Sequence, residues 1–400
     1  MTWLNTDAMR GTAAYYLQFI CLGLGAGITG PTLPSLAEQT QTRVGQLGTL
    51  FLVGAIGGTL GVMIGGRVLD RVRGNRALGL AQLLSALCVF AIPLLPSAWL
   101  LSGVIALKGV TDGFINTGAN TLLVWTHRDK SSPYMNALHF FFGLGAFLAP
   151  FIVAQVVVTP GGYRWAYWGV AVLSGLVSVR LLSLQQHPQP LHAEHIAETP
   201  VRINYPLVLS AALFLFFYVG AEIAFGGWIY TYAFTLKLAD AATAAYLTSG
   251  FWLTFTIGRL LSIPLASRFT PQQMIGAALA GCLTVLLAAL IIPANSTLVW
   301  IVALTLGFCM APVYASGFTL AGRSLRLTAR VSGIILLGDS FGGMILPWLV
   351  GQVLDATGPA ALITLVFTSL VFNLLAFQAM LRLRVKEPFE ALVNPTSAGQ

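Results

Sequence analysis

The sequence predicts an all-α polytopic membrane protein, with twelve transmembrane helices in two pseudo-symmetric six-helix bundles. Composition is the first reason: 56% of the 400 residues are hydrophobic and 8% are charged, with a mean hydropathy of +0.81. A soluble domain carries about 25% charged residues. The second is patterning, since twelve mostly apolar stretches run to about the 20 residues that a helix needs to cross a bilayer. The third is a weak internal repeat, described below.

The first half holds spans at 13–36, 45–66, 77–95, 98–125, 134–158 and 166–184, which assigns residues 1–184 to an N-terminal bundle. Span 1 is long for a cleavable leader, carries Pro31 and Pro34, and is followed at once by span 2. Residues 185–204, QQHPQPLHAEHIAETPVRIN, are the one long polar stretch between spans and read as a cytoplasmic linker. Its His187, His192 and His195 sit among prolines, which favours solvated linker residues over a metal or pH-sensing cluster. The second half holds spans at 205–235, 244–266, 273–293, 297–321, 331–353 and 359–381, so 205–400 forms a C-terminal bundle with a short cytoplasmic tail. Shifting the chain by 197 residues places Gly23 on Gly220, Gly30 on Gly227, Arg71 on Arg268, Pro96 on Pro293, Gly145 on Gly342 and Pro150 on Pro347. Parallel six-helix repeats suit two halves that rock around a midplane site.

The formal charge of +8 does not point to nucleic acid, because its distribution has another cause. With the N-terminus in the cytoplasm, sixteen of the 21 Lys and Arg residues fall on the cytoplasmic side. Only Arg43, Arg164 and Lys237 fall on the other, and Lys108 and Arg259 lie inside spans. That asymmetry orients a plasma-membrane protein with both termini cytoplasmic. Cys21, Cys88, Cys282 and Cys309 all lie within spans without a CxxC pair and read as small apolar residues. No HExxH, GxSxG or phosphate-cradling loop occurs, so neither an enzyme nor an ATP-driven pump is predicted, and no cofactor beyond a coupling ion.

Ionisable residues inside spans cost roughly 2.5–3.5 kcal/mol near the bilayer centre, so each needs a reason. They are Lys108 and Asp112 in span 4, His139 in span 5, Glu222 in span 7, Arg259 in span 8 and Asp339 in span 11, while Arg180 lies close enough to the end of span 6 to snorkel. Asp112, Glu222 and Asp339 each fall within about 5 Å of the middle of their spans, at the depth where a substrate or coupling ion is held. In span 4, Lys108, Asp112, Asn116 and Asn120 recur every fourth residue, a stripe that drifts only about 40° per step and predicts a cavity wall. Lys108 and Asp112 equally fit a self-neutralising intrahelical pair. Asp339 either meets a solute or ties span 11 to a neighbour. Arg259 is either a counter-charge or a boundary residue, and His139 either an interhelical hydrogen-bonder or a proton carrier. Trp228 and Tyr230 offer faces for stacking on a sugar ring, or simple packing.

After span 2, GGRVLDRVRGNR (65–76) combines glycines for close approach and a tight turn with Asp70 and cytoplasmic arginines. In this position the pattern resembles the loop 2–3 signature of the major facilitator superfamily, where it acts as a conformational latch. On that resemblance Gly66, Asp70, Arg71 and Gly74 form the latch, and Arg268 is its counterpart in LASRFTPQQ (265–273). Ser267 stands where Asp70 would repeat, so latching is expected to be lopsided. NTGAN in span 4, ALHFFFGLGAFLAP (137–150), YVGAEIAFGGWIYTYA (218–233) and ILPWLVGQVLD (345–355) are similar to one branch of that superfamily. It contains fucose permease-like and sodium-dependent glucose transporter-like proteins. The resemblance implies that spans 1, 4, 7 and 10 line the cavity while 3, 6, 9 and 12 face lipid. Spans 3, 9 and 12 contain no charged residue.

The family pattern breaks in two places. Fucose permease-like proteins carry an acid directly before TGAN, where this chain has Asn116, and an acid in span 1, where GAGITGPTLP (25–34) offers none. Neither acid carries over, which leaves Asp112, Glu222 and Asp339 as the ion-coupling candidates. Both H+ and Na+ stay open, the latter because Asp112, Asn116, Thr117 and Asn120 supply hard oxygen ligands. The expected function is secondary transport of a monosaccharide or related polyhydroxylated solute by a monomer in the bilayer, with Asn116, Asn120, Glu222, Trp228 and Tyr230 at the substrate. The alternative is an amphipathic lipid, glycolipid or drug, suggested by HFFF (139–142) and FLFF (214–217) among 24 phenylalanines.

Overall fold

The computed structural model describes residues 6–69, 71–185, 204–325 and 329–383. The first half runs α1 (Thr6–Gly27), α2 (Thr29–Thr40), α3 (Thr49–Val68), α4 (Gly74–Ala91), α5 (Ala98–His127), α6 (Ser131–Val156) and α7 (Arg164–Leu182). The second runs α8 (Tyr205–Thr235), α9 (Ala241–Ala266), α10 (Pro271–Ile291), α11 (Ser296–Met310), α12 (Val313–Gly322), α13 (Ala329–Thr357) and α14 (Ala361–Leu383). Side chains mark several starts: Ser97, Asn204, Asp240, Thr270 and Asn295 each accept from an amide of the first turn of α5, α8, α9, α10 and α11.

Two of the expected spans are broken helices. Span 1 is α1 and α2, bent by 50° around Ile28. Pro31 and Pro34 lack the amide hydrogens that would continue the ladder there. The Thr32 hydroxyl donates to the Ile28 carbonyl at 2.9 Å and meets the Tyr167 hydroxyl at 2.9 Å. Span 10 is α11 and α12, interrupted at Ala311 and Pro312. Among the described residues, ten spans are long and apolar enough to cross a membrane, and the bent α1–α2 pair makes eleven. The twelfth expected span is α9, which is long enough at 26 residues but more polar than the others. Besides Arg259 it carries Thr248, Thr254, Thr256 and Ser262, whose hydroxyls donate back to carbonyls of their own helix. Those bonds satisfy the hydroxyls without water, so the helix remains fit for a bilayer.

Glycines set the closest helix pairs, as expected where apolar side chains gain nothing by leaving lipid. A Cβ on Gly57 or Gly61 of α3 would collide with the Ala106 or Val110 carbonyl of α5, and one on Gly109 or Gly113 with the Gly54 or Gly58 carbonyl. The glycines matched by the 197-residue shift do the same work in both halves. Gly23 and Gly145 bring α1 against α6, and Gly220 and Gly342 bring α8 against α13.

The halves meet at the end of the molecule away from the arginines of loop 65–76, called here the far face; the arginine end is the basic face. At the far face α13 packs on α3 and on the short 3-10 turn Gly45–Gly48, and α2 packs on α8. Between α6 and α9, Ser249 donates to the Phe147 carbonyl at 3.0 Å and Gln155 bonds the Tyr246 hydroxyl. Towards the basic face the halves part: a Cβ on Gly66 of α3 or Gly333 of α13 meets nothing within 4 Å. Leu336, Leu337 and Phe341 of α13 are exposed. Among the described residues, the halves are in contact at the far face and apart at the basic face.

Candidate functional site

The polar stripe of α5 divides in two. Lys108 and Asp112 form an ion pair of 2.5 Å, with side chains 9% and 25% exposed. Ser85 of α4 donates to the other carboxylate oxygen of Asp112 at 3.3 Å. A Cβ on Gly25 of α1 would lie 2.9 Å from the Lys108 ammonium, so glycine makes room for it. The pair is thus lodged between α1, α4 and α5, and Asp112 already holds its counter-charge. Asp112, one of the ion-coupling candidates, is thus paired with Lys108 in this structure, as the intrahelical-pair alternative expects. Asn116 and Asn120 differ: Asn116 is exposed and Asn120 half-buried. Asn116 lies about 180° around the helix from Leu107, which faces outward at 42% exposed. The asparagines therefore lie on the side of α5 away from Leu107. Asn120 Nδ2 donates to the Asn116 carbonyl at 2.7 Å and to Asn116 Oδ1 at 3.0 Å. That leaves the Asn116 amide hydrogens and the Asn120 Oδ1 for a solute.

The C-terminal half supplies the remaining charges. Glu222 of α8 is buried and shares its surroundings with Tyr218, Arg259 and Asp339. The Arg259 guanidinium sits over the Phe255 ring at 4.4 Å from its centroid. Asp339 of α13 accepts from the Tyr314 hydroxyl of α12 at 3.4 Å, which joins it to the broken span 10. On the other side of that break, the Tyr218 hydroxyl donates to the Met310 carbonyl at 2.8 Å. A discontinuous helix at membrane depth needs such partners, because lipid offers none to its freed backbone groups. Neither tyrosine was named from the sequence; Pro312 inside span 10 is the signal that marks where freed carbonyls need donors. His139 of α6 is exposed, packs edge-on to Phe19 at 5.8 Å and lies within the field of Arg259.

Trp228 and Tyr230 are not presented to the cleft. Trp228 is 0% exposed, donates from Nε1 to the Pro347 carbonyl at 2.9 Å and packs against Phe51 at 6.0 Å. Tyr230 is buried and stacks on Phe234 at 5.8 Å. In this conformation both rings are packed against protein, the packing alternative for these two residues. Of the latch residues, Arg71 and Arg268 are exposed, and Gly66 is exposed with no neighbour near its α-carbon. Gly74 starts α4, where a Cβ would press 2.6 Å from Leu122. Asp70 and the linker histidines lie outside the described residues.

With this geometry in hand, comparison with known proteins gives a consistent result. The sequence profile of the Major Facilitator Superfamily matches residues 15–347. Sodium-dependent glucose transporter 1A of Mus musculus is 30% identical over 426 residues, spanning 96% of this chain and 99% of that protein. Sodium-dependent glucose transporter 1 of Homo sapiens is 30% identical over 371 residues, spanning 84% of this chain and 71% of that one. Among solved structures, a D-xylose–proton symporter superposes with a TM-score of 0.75 at 13% identity, covering 94% of this chain and 97% of the other. A bacterial homolog of the human lysosomal transporter Spinster, in an inward-facing and unoccupied conformation, gives 0.74 at 16% identity, covering 95% and 98%. At those identities the structures show the shared fold.

Proposed function

The chain belongs to the major facilitator superfamily, and from that premise we propose that it is a secondary transporter for a monosaccharide or similar small polyhydroxylated solute. The observation that carries the substrate class is the asparagine pair of α5. Asn116 and Asn120 present donors and an acceptor side by side without charge, which suits hydroxyl groups better than an ionic or purely apolar cargo. The relatives named for sodium-dependent glucose transport support the same class. With the basic face in the cytoplasm of a plasma-membrane protein, as the positive-inside rule directs, the cleft opens inward. The protein works as a monomer.

Transport is coupled to a cation, H+ or Na+. Mid-span charges comprise Lys108 and Arg259 against Asp112, Glu222 and Asp339, an excess of one carboxylate. An uncompensated charge at that depth is costly, so the net −1 favours taking up one cation. Lys108 occupies Asp112, which leaves Glu222 and Asp339 to share that cation with Arg259 nearby. The test is uptake of labelled hexoses into proteoliposomes under imposed Na+ or pH gradients. Asn120→Ala is expected to cut uptake at least tenfold, and Glu222→Gln to remove the response to the gradient. Unchanged uptake in both variants would sink the assigned site, and no uptake of any sugar would sink the substrate class.

A further inference from the structure

Among the described residues, one bond of the far-face closure is made by a charged side chain, and it joins the two halves. Asp355, near the end of α13, accepts from the Gly45 amide at 3.0 Å. Gly45 opens the 3-10 turn that leads into α3, and an amide at such a start has no partner within its own helix. Around this bond the backbones touch. A Cβ on Gly45 would strike the Gly351 carbonyl and the Asp355 carboxyl group, and one on Gly351 would lie 2.5 Å from the Gly45 carbonyl and 2.9 Å from the Trp228 ring. Gly48 faces the Trp348 carbonyl at 3.2 Å by the same measure. One layer deeper, Trp228 is tied to the Pro347 carbonyl, and Gly30 of α2 abuts the Gly227 carbonyl of α8. Gly45, Gly48 and Gly351 thus form a side-chain-free seam with a carboxylate at its rim.

We propose that Asp355 is the latch of the far-face gate, holding the transporter open to the basic face until its bond to Gly45 breaks. Trp228 is the plug beneath that latch. The inference rests on the alternating-access reading above. It gives α3 a switching contact at each end: Gly45 at the far face and the Gly66–Arg71 region at the basic face. The glycines make the seam all-or-none, because the halves either touch backbone to backbone or must separate. Asp355 is exposed, so its removal weakens the closed seam without opening a hole in the core.

The test uses the full chain in proteoliposomes, with Cys21, Cys88, Cys282 and Cys309 changed to alanine. A reporter, Thr231→Cys, sits one turn from Gly227 on the face of α8 that meets the other half, at 1% exposed. Asp355→Ala is expected to raise its labelling from the far face by a membrane-impermeant maleimide about threefold to tenfold, the range for one charge-assisted hydrogen bond at a partly exposed site. A second variant, Asp355→Asn, keeps a side-chain oxygen that can accept from the Gly45 amide and is expected to label more slowly than Asp355→Ala. Unchanged labelling in Asp355→Ala overturns the latch, and so does labelling of Asp355→Asn as fast as that of Asp355→Ala. Labelling needs no knowledge of the solute. A protein that takes up no sugar but still opens on Asp355→Ala would therefore contradict the substrate reading and leave the latch standing.

Discussion

Asp112 and Asn116 stand one turn apart on the same helix and have different fates, decided by what lies opposite each. Asp112 meets Lys108 and Ser85, and Asn116 is exposed. Breaking a buried ion pair leaves a charge uncompensated, and with Asp112 a quarter exposed the cost is about 2–3 kcal/mol. Lys108→Met is therefore expected to lower the thermal midpoint of the purified protein, and Lys108→Met with Asp112→Leu to recover most of the loss. If Asp112 were the coupling acid, that double variant would lose its response to a cation gradient; the ion pair predicts that it keeps it. At the far face, Asp240 caps α9 by accepting from the Thr243 amide at 2.7 Å. Bonds from Thr243 hold its carboxyl below the usual value of 3.8. A carboxyl depressed in the folded state stabilises above its unfolded pKa and loses that contribution as pH falls through the folded one. Asp240→Ala is expected to be less stable than the parent at pH 7, with the gap narrowing below about pH 4 in a thermal-shift series.

At the scale of helices, packing is governed by where a Cβ can and cannot stand. On α3, Gly61 faces the Val110 carbonyl while Gly66, five residues on, faces open space. Gly61→Leu is expected to destabilise by about 3 kcal/mol or more, because a backbone cannot yield as a side chain can. Gly66→Leu is expected to change stability by under about 0.5 kcal/mol. The broken span 10 is a second case. Tyr218→Phe strands the Met310 carbonyl at the break, a cost of about 1–3 kcal/mol, visible as a lowered thermal midpoint. Much of this level was legible beforehand: the span positions followed from hydropathy, and Gly23, Gly145, Gly220 and Gly342 were marked by the repeat. The break at Pro312 was legible only as a proline, since its donor Tyr218 lies 92 residues away.

The whole molecule is a pair of halves in contact at the far face and apart at the basic face. In that conformation, among the described residues, an added Cβ on Gly66 meets open space and Arg71 is exposed. The conformation also separates stability from turnover. Gly66→Leu, nearly silent in a melt, is expected to slow uptake severalfold, because the opposite conformation must bring the basic face together. Uptake at parental speed from a stable Gly66→Leu protein would remove the loop from the gating mechanism. The same conformation buries Trp228, whose ring fills the seam that the other state has to open.

The amino-acid sequence by itself determined the class, the spans, the basic face and the asparagine pair, because each follows from local composition or from a period along one helix. Hydrophobic length, arginine asymmetry and four-residue spacing need no partner to be read. Only the tertiary structure decided that Lys108 pairs with Asp112, that Tyr314 reaches Asp339, that Trp228 bonds the Pro347 carbonyl and that Asp355 accepts from Gly45 across 310 residues of chain. Those contacts join helices far apart in order. In a bilayer, where apolar surface gains nothing by association, such polar and glycine contacts choose how the helices pair and which end of the molecule opens.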